Sequence, residues 1–297
     1  LDILFVFTAN PEDYTNRGSI VTPLKDRIES QILTHYPKTI ETSLAITEQE
    51  AQIHSEQQDK IIVSDLVKRL IEQLAFEART NEYVDKKSGV SARLTISAYE
   101  NAMSSAERRA IVNNEKNTIV WISDLVGIIP SVTGKIELVY EGEQEGPYQV
   151  ALNLLEKAIR TLFVQYFPDP EIIKKRKATG KSLQQKVVEN PYKSIIAWFD
   201  AGNKLDILAD VTDAEKIQLL YKVSGLHALV NKYFLRTNEK ETALLMEFVL
   251  YGLAAYSLIS KKIIEGKIEF KDLMGSMVNL SQTNLGEEDD FNEEDYQ

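Results

Sequence analysis

The chain begins LDILFVFTANPEDYTNRGSIVTPLKDRIESQILTHYP, residues 1–37, and the fold prediction starts there. Residues 3–7 are five consecutive apolar residues, which is typical of a strand covered on both faces in a parallel sheet. The tetrapeptide TANP follows, so Asn10 lies at the carboxyl end of the predicted strand, where open α/β sheets bind ligands. The segment LKDR, residues 24–27, and a second predicted strand, residues 32–36, complete the stretch.

Two polar residues in this stretch also have ordinary structural explanations. Asn10 precedes a proline and fits an Asn-Pro turn. Arg27 follows Asp26 and fits a solvated charge on a helix surface. The series TANPEDYTNRG, a short gap and TPLKDR is longer and more specific than either residue alone, and it favours a functional role for both.

These motifs together resemble the distal part of an AAA+ ATPase core, of the kind found in magnesium-chelatase ATPase subunits and MoxR-like proteins. The resemblance is closest over residues 1–40 and extends through the helical stretch that follows. It implies that Asn10 is the sensor-1 residue, which orients the water that attacks the γ-phosphate of ATP. It also implies that Arg27 is the arginine finger, which points into the nucleotide site of the neighbouring subunit.

Residues 41–115 are predicted to form a helical lid. Thr47 and Glu50 have the spacing of a capping box, which predicts that a helix begins there. A wide apolar stripe predicts the longest helix of the lid, because apolar residues recur every four positions at Ile62, Leu66, Leu70 and Leu74.

The segment GVSARL, residues 89–94, separates two of the predicted lid helices. Gly89 is expected to end one helix and Ser91 to cap the next. Arg93 then falls in a first turn, where a cation is unfavourable because the helix N-terminus is already positive, and a nearby anion would remove the conflict. The segment resembles the sensor-2 motif of the same family, which implies that Arg93 contacts the γ-phosphate from the lid; the alternative is a solvated first-turn arginine.

A phosphate-binding loop of the form G-x-x-x-x-G-K-[ST] is missing from the 297 residues. The candidate at residues 127–136 has the wrong spacing and carries Ile136 where Ser or Thr should hold Mg²⁺. The candidate at residues 175–182 carries Lys175 at the first glycine position, and no apolar strand ends in Asp-Glu. The expectation is therefore a C-terminal part of a larger ATPase, which would bind ATP and Mg²⁺ at subunit interfaces as the full-length protein.

Residues 116–286 are predicted to form a mainly helical C-terminal region. Two short segments, residues 119–122 and 136–140, look like strands, with short helix as the alternative. The acidic segment at residues 141–147 favours a solvated or partner-facing loop over a metal site, because a calcium loop needs more oxygen ligands at set spacings. Longer helices are predicted at residues 148–167, 191–201, 213–235 and 239–265.

Composition excludes several classes of function. The net charge is −11, which disfavours nucleic-acid binding because that needs a basic surface. Residues 287–297 carry seven acids without a base, so this tail is expected to be disordered. The chain has no cysteine, and its three histidines show no paired spacing, so no metal site is predicted. The apolar run at residues 243–259 contains Glu247 and is short for a bilayer, so no membrane span is expected. The lack of cysteine fits a reducing compartment, and the predicted location is cytoplasmic.

The predicted fold is mainly α: a remnant of an AAA+ P-loop NTPase α/β core, a helical lid and a C-terminal helical region. The resemblance implies a homo-oligomeric ring, hexameric by analogy, that couples ATP hydrolysis to metal insertion or client remodelling, often with a von Willebrand A-domain partner. The second hypothesis is a non-catalytic interaction or assembly protein that acts through the helical C-terminal region and the acidic tail.

Overall fold

The computed structural model describes residues 3–8, 26–171, 190–235, 237–264 and 266–273. This part of the chain is mainly helical, which confirms the predicted class. The helices between residues 26 and 171 are, in chain order, α1 (Ile40–Glu50), α2 (Ser55–Lys60), α3 (Asp65–Thr80), α4 (Arg93–Val112), a 3₁₀ helix (Ser123–Ile128), α5 (Ile129–Thr133), α6 (Tyr140–Glu145) and α7 (Pro147–Tyr166).

Four further helices and a small sheet follow. The helices are α8 (Lys193–Asp200), α9 (Asp213–Tyr221), α10 (Leu226–Tyr233) and α11 (Glu239–Ala255). The described residues also form five short strands, of which the last two follow α11: β1 (Ile61–Ile62), β2 (Thr118–Ile119), β3 (Leu205–Leu208), β4 (Ser260–Ile264) and β5 (Lys267–Lys271). β1 pairs with β2 in parallel, whereas β3, β5 and β4 form an antiparallel sheet in that order.

The two strands predicted in the first 37 residues are not strands in the structure. Residues 3–8 and 30–37 have no regular secondary structure. The apolar side chains from Ile3 to Phe7 are exposed, with Leu4 at 89%. A strand needs a hydrogen-bonded neighbour, and the described residues place no other strand beside this segment. The predicted strand at residues 136–140 is also wrong, and the acidic segment after it is helix α6.

The predicted long helix is confirmed as α3, except that Ile62, the first residue of the predicted stripe, lies in β1 and is exposed. Ser64 caps it, because the Ser64 hydroxyl accepts a hydrogen bond from the backbone N–H of Val67 at 3.3 Å. Its apolar stripe is buried against α1, α4 and α7. The fully buried members of the stripe include Val67, Leu70, Leu74, Ala75 and Ala78.

The C-terminal helices are shorter than predicted. The predicted helix at 213–235 is two helices, because Gly225 has φ +81° and ends the helical path between α9 and α10. The predicted helix at 239–265 ends at Ala255, and the chain then returns as the β4–β5 hairpin. A lysine-rich run such as Lys261–Lys262 fits either a helix end or an edge strand, so periodicity alone did not separate the two.

Helix α11 runs through the core and is buried on nearly all sides, against α7, α9 and α10. Its Gly252 faces the ring of Phe163 on α7, and a Cβ at that position would lie 2.1 Å from the ring. Glu247 on the same helix is fully buried, and its carboxylate accepts hydrogen bonds from the backbone N–H groups of Ile122 at 2.8 Å and Ser123 at 3.3 Å. No helix in the described part of the chain is long and apolar enough to cross a membrane.

A buried ionic network joins α4 to the 3₁₀ helix and α9. Arg109, only 1% exposed, donates from Nη2 to Asp124 at 3.1 Å and from Nη1 to Asp213 at 2.8 Å. Asp213 also accepts from the indole N–H of Trp121 at 2.8 Å and lies 2.7 Å from Nζ of Lys240.

The charge on Asp213 is stabilised by the fold. Burial alone would raise the pKa of Asp213, but Lys240, Trp121 and Arg109 outweigh burial and hold the pKa below its ordinary value of 3.8. Its contribution to stability is therefore present above that value and is lost as the pH falls through the lowered pKa.

Replacing Arg109 should destabilise the fold far more than replacing its neighbour. Arg109→Met leaves the buried carboxylate of Asp124 without its cation and leaves Asp213 with Lys240 alone, so the free energy of unfolding should fall by about 3–5 kcal/mol. Arg108→Met is the control, because Arg108 is exposed and its guanidinium pairs with the exposed Asp210, so the change should stay below about 1 kcal/mol. Urea denaturation of both variants measures this, and equal losses would contradict the buried network.

Candidate functional site

The structure places two of the three predicted site residues. Asn10 lies outside the described residues. Arg27 lies in an exposed turn before α1. Arg93 is the first residue of α4 and is exposed. The resemblance assigns Arg27 and Arg93 to different nucleotide sites, so a direct contact between them is not expected.

The loop before Arg93 is held by hydrogen bonds to its backbone. Val90 is 1% exposed; its N–H donates to the hydroxyl of Tyr36 at 3.0 Å, and its carbonyl accepts from Nε of Arg79 at 3.2 Å. Gly89 has φ +70°, a conformation that favours glycine. Both polar backbone groups of Val90 are thus bonded to side chains from other segments.

Ser91 does not cap α4. Ala92 occupies the N-cap position, and no side chain caps the helix there. Ser91 contributes its backbone carbonyl instead, which accepts from the N–H of Leu94 at 3.1 Å. The first turn of α4 therefore keeps the positive character of an uncapped helix N-terminus.

Arg79 lies between two aromatic rings beside this loop. Its guanidinium is 4.6 Å from the ring centroid of Tyr36 and 5.1 Å from that of Phe76. Nη1 and Nη2 are buried, and neither forms a hydrogen bond within the described residues. Burial lowers the pKa of Arg79, although Tyr36 and Glu72 oppose the shift. The cation is therefore held by the two rings and by its Nε hydrogen bond to the Val90 carbonyl.

A buried carboxyl lies beneath the first turn of α4. Glu72 is fully buried and is hydrogen-bonded to the hydroxyls of Ser43 at 2.5 Å and Thr47 at 2.6 Å. Thr47 also lies 2.8 Å from the hydroxyl of Thr95, which donates to the carbonyl of Ala92 at 3.0 Å. This chain of hydroxyls connects α1, α3 and the start of α4.

Burial shifts the protonation equilibrium of Glu72 toward the neutral form. It raises the pKa of Glu72 above its ordinary value of 4.5, although Ser43, Thr47 and the charge of Arg79 oppose the shift. A protonated Glu72 can donate to Thr47, Thr47 to Thr95, and Thr95 to the Ala92 carbonyl, so every contact in the chain contains one proton. An ionised Glu72 has no cation within salt-bridge distance among the described residues.

Arg93 is the chemically available group of this site. It makes no hydrogen bond or ion pair with the residues that the structure describes. An exposed guanidinium at the positive end of a 20-residue helix attracts an anion such as a phosphate. The site therefore presents an exposed cation at the start of α4, three residues after the anchored Val90 and next to the hydroxyl chain that ends at Glu72.

A cavity elsewhere in the described residues is less suitable as a ligand site. A cavity of about 260 Å³ lies between α4, the 3₁₀ helix and the end of the small sheet, where Ile207, Ile268 and Ile263 stand opposite one another across the strands. This volume is below the roughly 300–1,000 Å³ of most ligand pockets. Nowhere in the described ranges do three His, Cys, Asp or Glu side chains come together as metal ligands do.

Sequence reasoning missed Glu72, Tyr36 and Arg79. The spacing of Ser43 and Thr47 could have indicated a partner such as Glu72. Residues four apart lie on one helix face, and two hydroxyls on a buried face favour a buried polar partner. Thr47 was predicted to cap a helix, but it lies inside α1, which begins at Ile40 after the N-cap Thr39. The pairing of Tyr36 with Val90 bridges more than fifty residues and has no local signal.

Replacing Glu72 with its neutral isostere should change the pH dependence of stability. The raised pKa means that the folded state binds the proton more tightly than the unfolded state, so the contribution of Glu72 is largest below pH 4.5 and falls as the pH rises through the raised value. Glu72→Gln stays neutral, so wild type should lose stability relative to this variant between pH 4.5 and 8.

Urea denaturation across this pH range measures the difference between the two proteins. Glu141→Gln on the exposed surface of α6 is the control for the loss of one negative charge. A wild-type protein that gains stability relative to Glu72→Gln as the pH rises would contradict the raised pKa of Glu72.

Comparison with known proteins found no matching family model, no matching curated protein and no matching solved structure. The resemblance to the AAA+ family therefore rests on the sequence motifs around Asn10, Arg27 and Arg93. Any activity assigned to the chain depends on those motifs and on the geometry around Arg93.

Proposed function

We propose that this chain belongs to a ring-forming AAA+ ATPase of the magnesium-chelatase and MoxR-like kind. In this proposal the chain supplies sensor and arginine-finger residues, and ATP hydrolysis drives metal insertion or the remodelling of a client. The observation that carries the proposal is Arg93, an exposed cation without a partner among the described residues, at the positive end of α4. A phosphate supplies the negative charge that this position favours.

The three polar residues have separate roles in the proposed reaction. Arg93 contacts the γ-phosphate from the lid, and Asn10 orients the attacking water. Arg27 enters the site of the neighbouring subunit and stabilises the charge that develops on the transferred phosphoryl group, as arginine fingers do. These contacts act by positioning and electrostatics, because phosphoryl transfer leaves little covalent chemistry to the protein.

The proposal requires parts that these 297 residues do not contain. ATP needs a phosphate-binding loop, and Mg²⁺ needs its carboxylate partner; both would come from other sequence in the full-length protein. A ring of identical subunits, hexameric by analogy, brings Arg27 of one subunit to the nucleotide of the next. A von Willebrand A-domain protein is the proposed partner of such a ring.

A non-catalytic assembly protein is the second candidate. Two observations favour it: the chain lacks a phosphate-binding loop, and the apolar side chains from Ile3 to Phe7 are exposed and available to a partner. In that case the C-terminal helices and the acidic tail, residues 287–297, carry the interaction. The two candidates differ in whether the full-length protein hydrolyses ATP.

Arginine substitutions in the full-length protein test the ATPase. Arg27→Ala should lower kcat about 10³-fold, the smaller of the effects that arginine fingers have. Arg93→Ala should lower kcat about 10²-fold, as the loss of one charge-stabilising donor does. Arg108→Ala, an exposed arginine on the same helix as Arg93, should leave kcat unchanged.

Mixed assemblies separate the two roles. Arg27→Ala subunits mixed with subunits that lack the phosphate-loop lysine should regain activity, because each supplies what its neighbour has lost. Arg93→Ala subunits mixed with the subunits that lack the phosphate-loop lysine should regain no activity. Each of these two changes damages the nucleotide site of its own subunit, so the mixture contains no intact site. Steady-state ATP hydrolysis measures both mixtures, and a full-length protein without ATPase activity, or one indifferent to both substitutions, would overturn the proposal.

A further inference from the structure

We infer that Tyr36 is a positioning residue for Arg93, acting through the backbone of Val90. The catalytic meaning of this inference rests on the proposed function, because it takes Arg93 as the group that contacts phosphate. The contact itself is independent of that proposal. Tyr36 lies in the segment that follows Arg27, so it connects that segment to the loop that carries Arg93.

The contact fixes the loop three residues before Arg93. The hydroxyl of Tyr36 accepts from the N–H of Val90 at 3.0 Å, and Arg79 bonds the carbonyl of the same residue at 3.2 Å. The side chain is buried and each of the two peptides that flank Val90 is held by one hydrogen bond, so rotation of either peptide would break a bond. The start of α4 follows the position of this residue.

Gly89 permits the close approach of Tyr36. A Cβ at Gly89 would lie 2.1 Å from the tyrosine hydroxyl, which no side chain tolerates without displacing the ring. The positive φ of Gly89 also turns the chain so that the N–H of Val90 faces the hydroxyl. A glycine is therefore required here by both conformation and space.

The ring of Tyr36 has a second contact that holds it in place. The guanidinium of Arg79 lies 4.6 Å from its centroid, and the terminal nitrogens of Arg79 have no hydrogen-bond partner among the described residues. Pro37 follows Tyr36 and restricts the backbone on its other side. Tyr36 is thus fixed by its ring, its hydroxyl and its neighbour.

Tyr36→Phe tests the inference because it keeps the ring and removes the hydroxyl. In the 297-residue chain, hydrogen exchange of the Val90 amide should become about fivefold faster or more, the effect of losing one hydrogen bond. Amides of α7 and α11 should exchange at the wild-type rate. Tyr148→Phe is the matched control, since Tyr148 is 53% exposed and its hydroxyl forms no hydrogen bond with the described residues.

The full-length ATPase gives the second measurement. Tyr36→Phe should lower kcat about fivefold and leave KM for ATP within twofold, because the sensor is misplaced while the nucleotide still binds. In an Arg93→Ala background, Tyr36→Phe should have no further effect on kcat. A merely structural defect would lower kcat by the same factor in both backgrounds.

Each outcome supports or overturns the inference. Unchanged exchange at Val90 would show that the hydroxyl does not hold the loop. Faster exchange with unchanged kcat, or a kcat loss that persists without Arg93, would overturn the positioning role and leave Tyr36 as a structural contact. If Arg93→Ala itself leaves kcat unchanged, the proposed function fails, and the Val90 exchange still reports whether the contact exists.

Discussion

The rest of the fold depends on one buried cation, Arg109. Removing a guanidinium from water costs several kcal/mol, and only well-placed carboxylates offset that cost. Asp124 on the 3₁₀ helix and Asp213 at the start of α9 do so here, and Glu115 contributes at 3.6 Å. Because these carboxylates come from different elements, moving any one of those elements removes an ion pair from the buried guanidinium. The cation therefore fixes how α4 packs against the C-terminal helices.

The two arginines of α4 have opposite environments. Arg109 is buried among acids near the end of the helix, whereas Arg93 is exposed at its start, about 24 Å away at 1.5 Å per residue. The buried residue anchors the helix, and the exposed one is free to meet a ligand. Glu72 and Tyr36 then hold the exposed end, through hydroxyls beneath the first turn and through the backbone of Val90.

Local patterns predicted the parts of this structure that local interactions form. The apolar stripe from Leu66 to Leu74 needs only neighbours within one or two turns, and the helix that it predicts is confirmed as α3. The strand at residues 3–7 was wrong because a strand depends on partners elsewhere in the chain. The β3–β5–β4 sheet was also missed, because β3 pairs with β5 across a long stretch of the chain. Each strand is only four or five residues long, which gives little local pattern. Arg93 was found by its odd position in a first turn, but its supports were not, because Glu72 and Tyr36 act over long sequence separations.

The exposed apolar segment before α1 favours self-association of the chain at high concentration. Ile3, Leu4, Phe5, Val6 and Phe7 have strong β propensity, carry no charge and are uncovered, and the rings of Phe5 and Phe7 stack 6.2 Å apart. Short segments of this kind pair with the free edge of any sheet, including one in another copy of the same chain. The same five residues that suit a buried sheet position are therefore a self-association hazard whenever they lack a neighbouring strand.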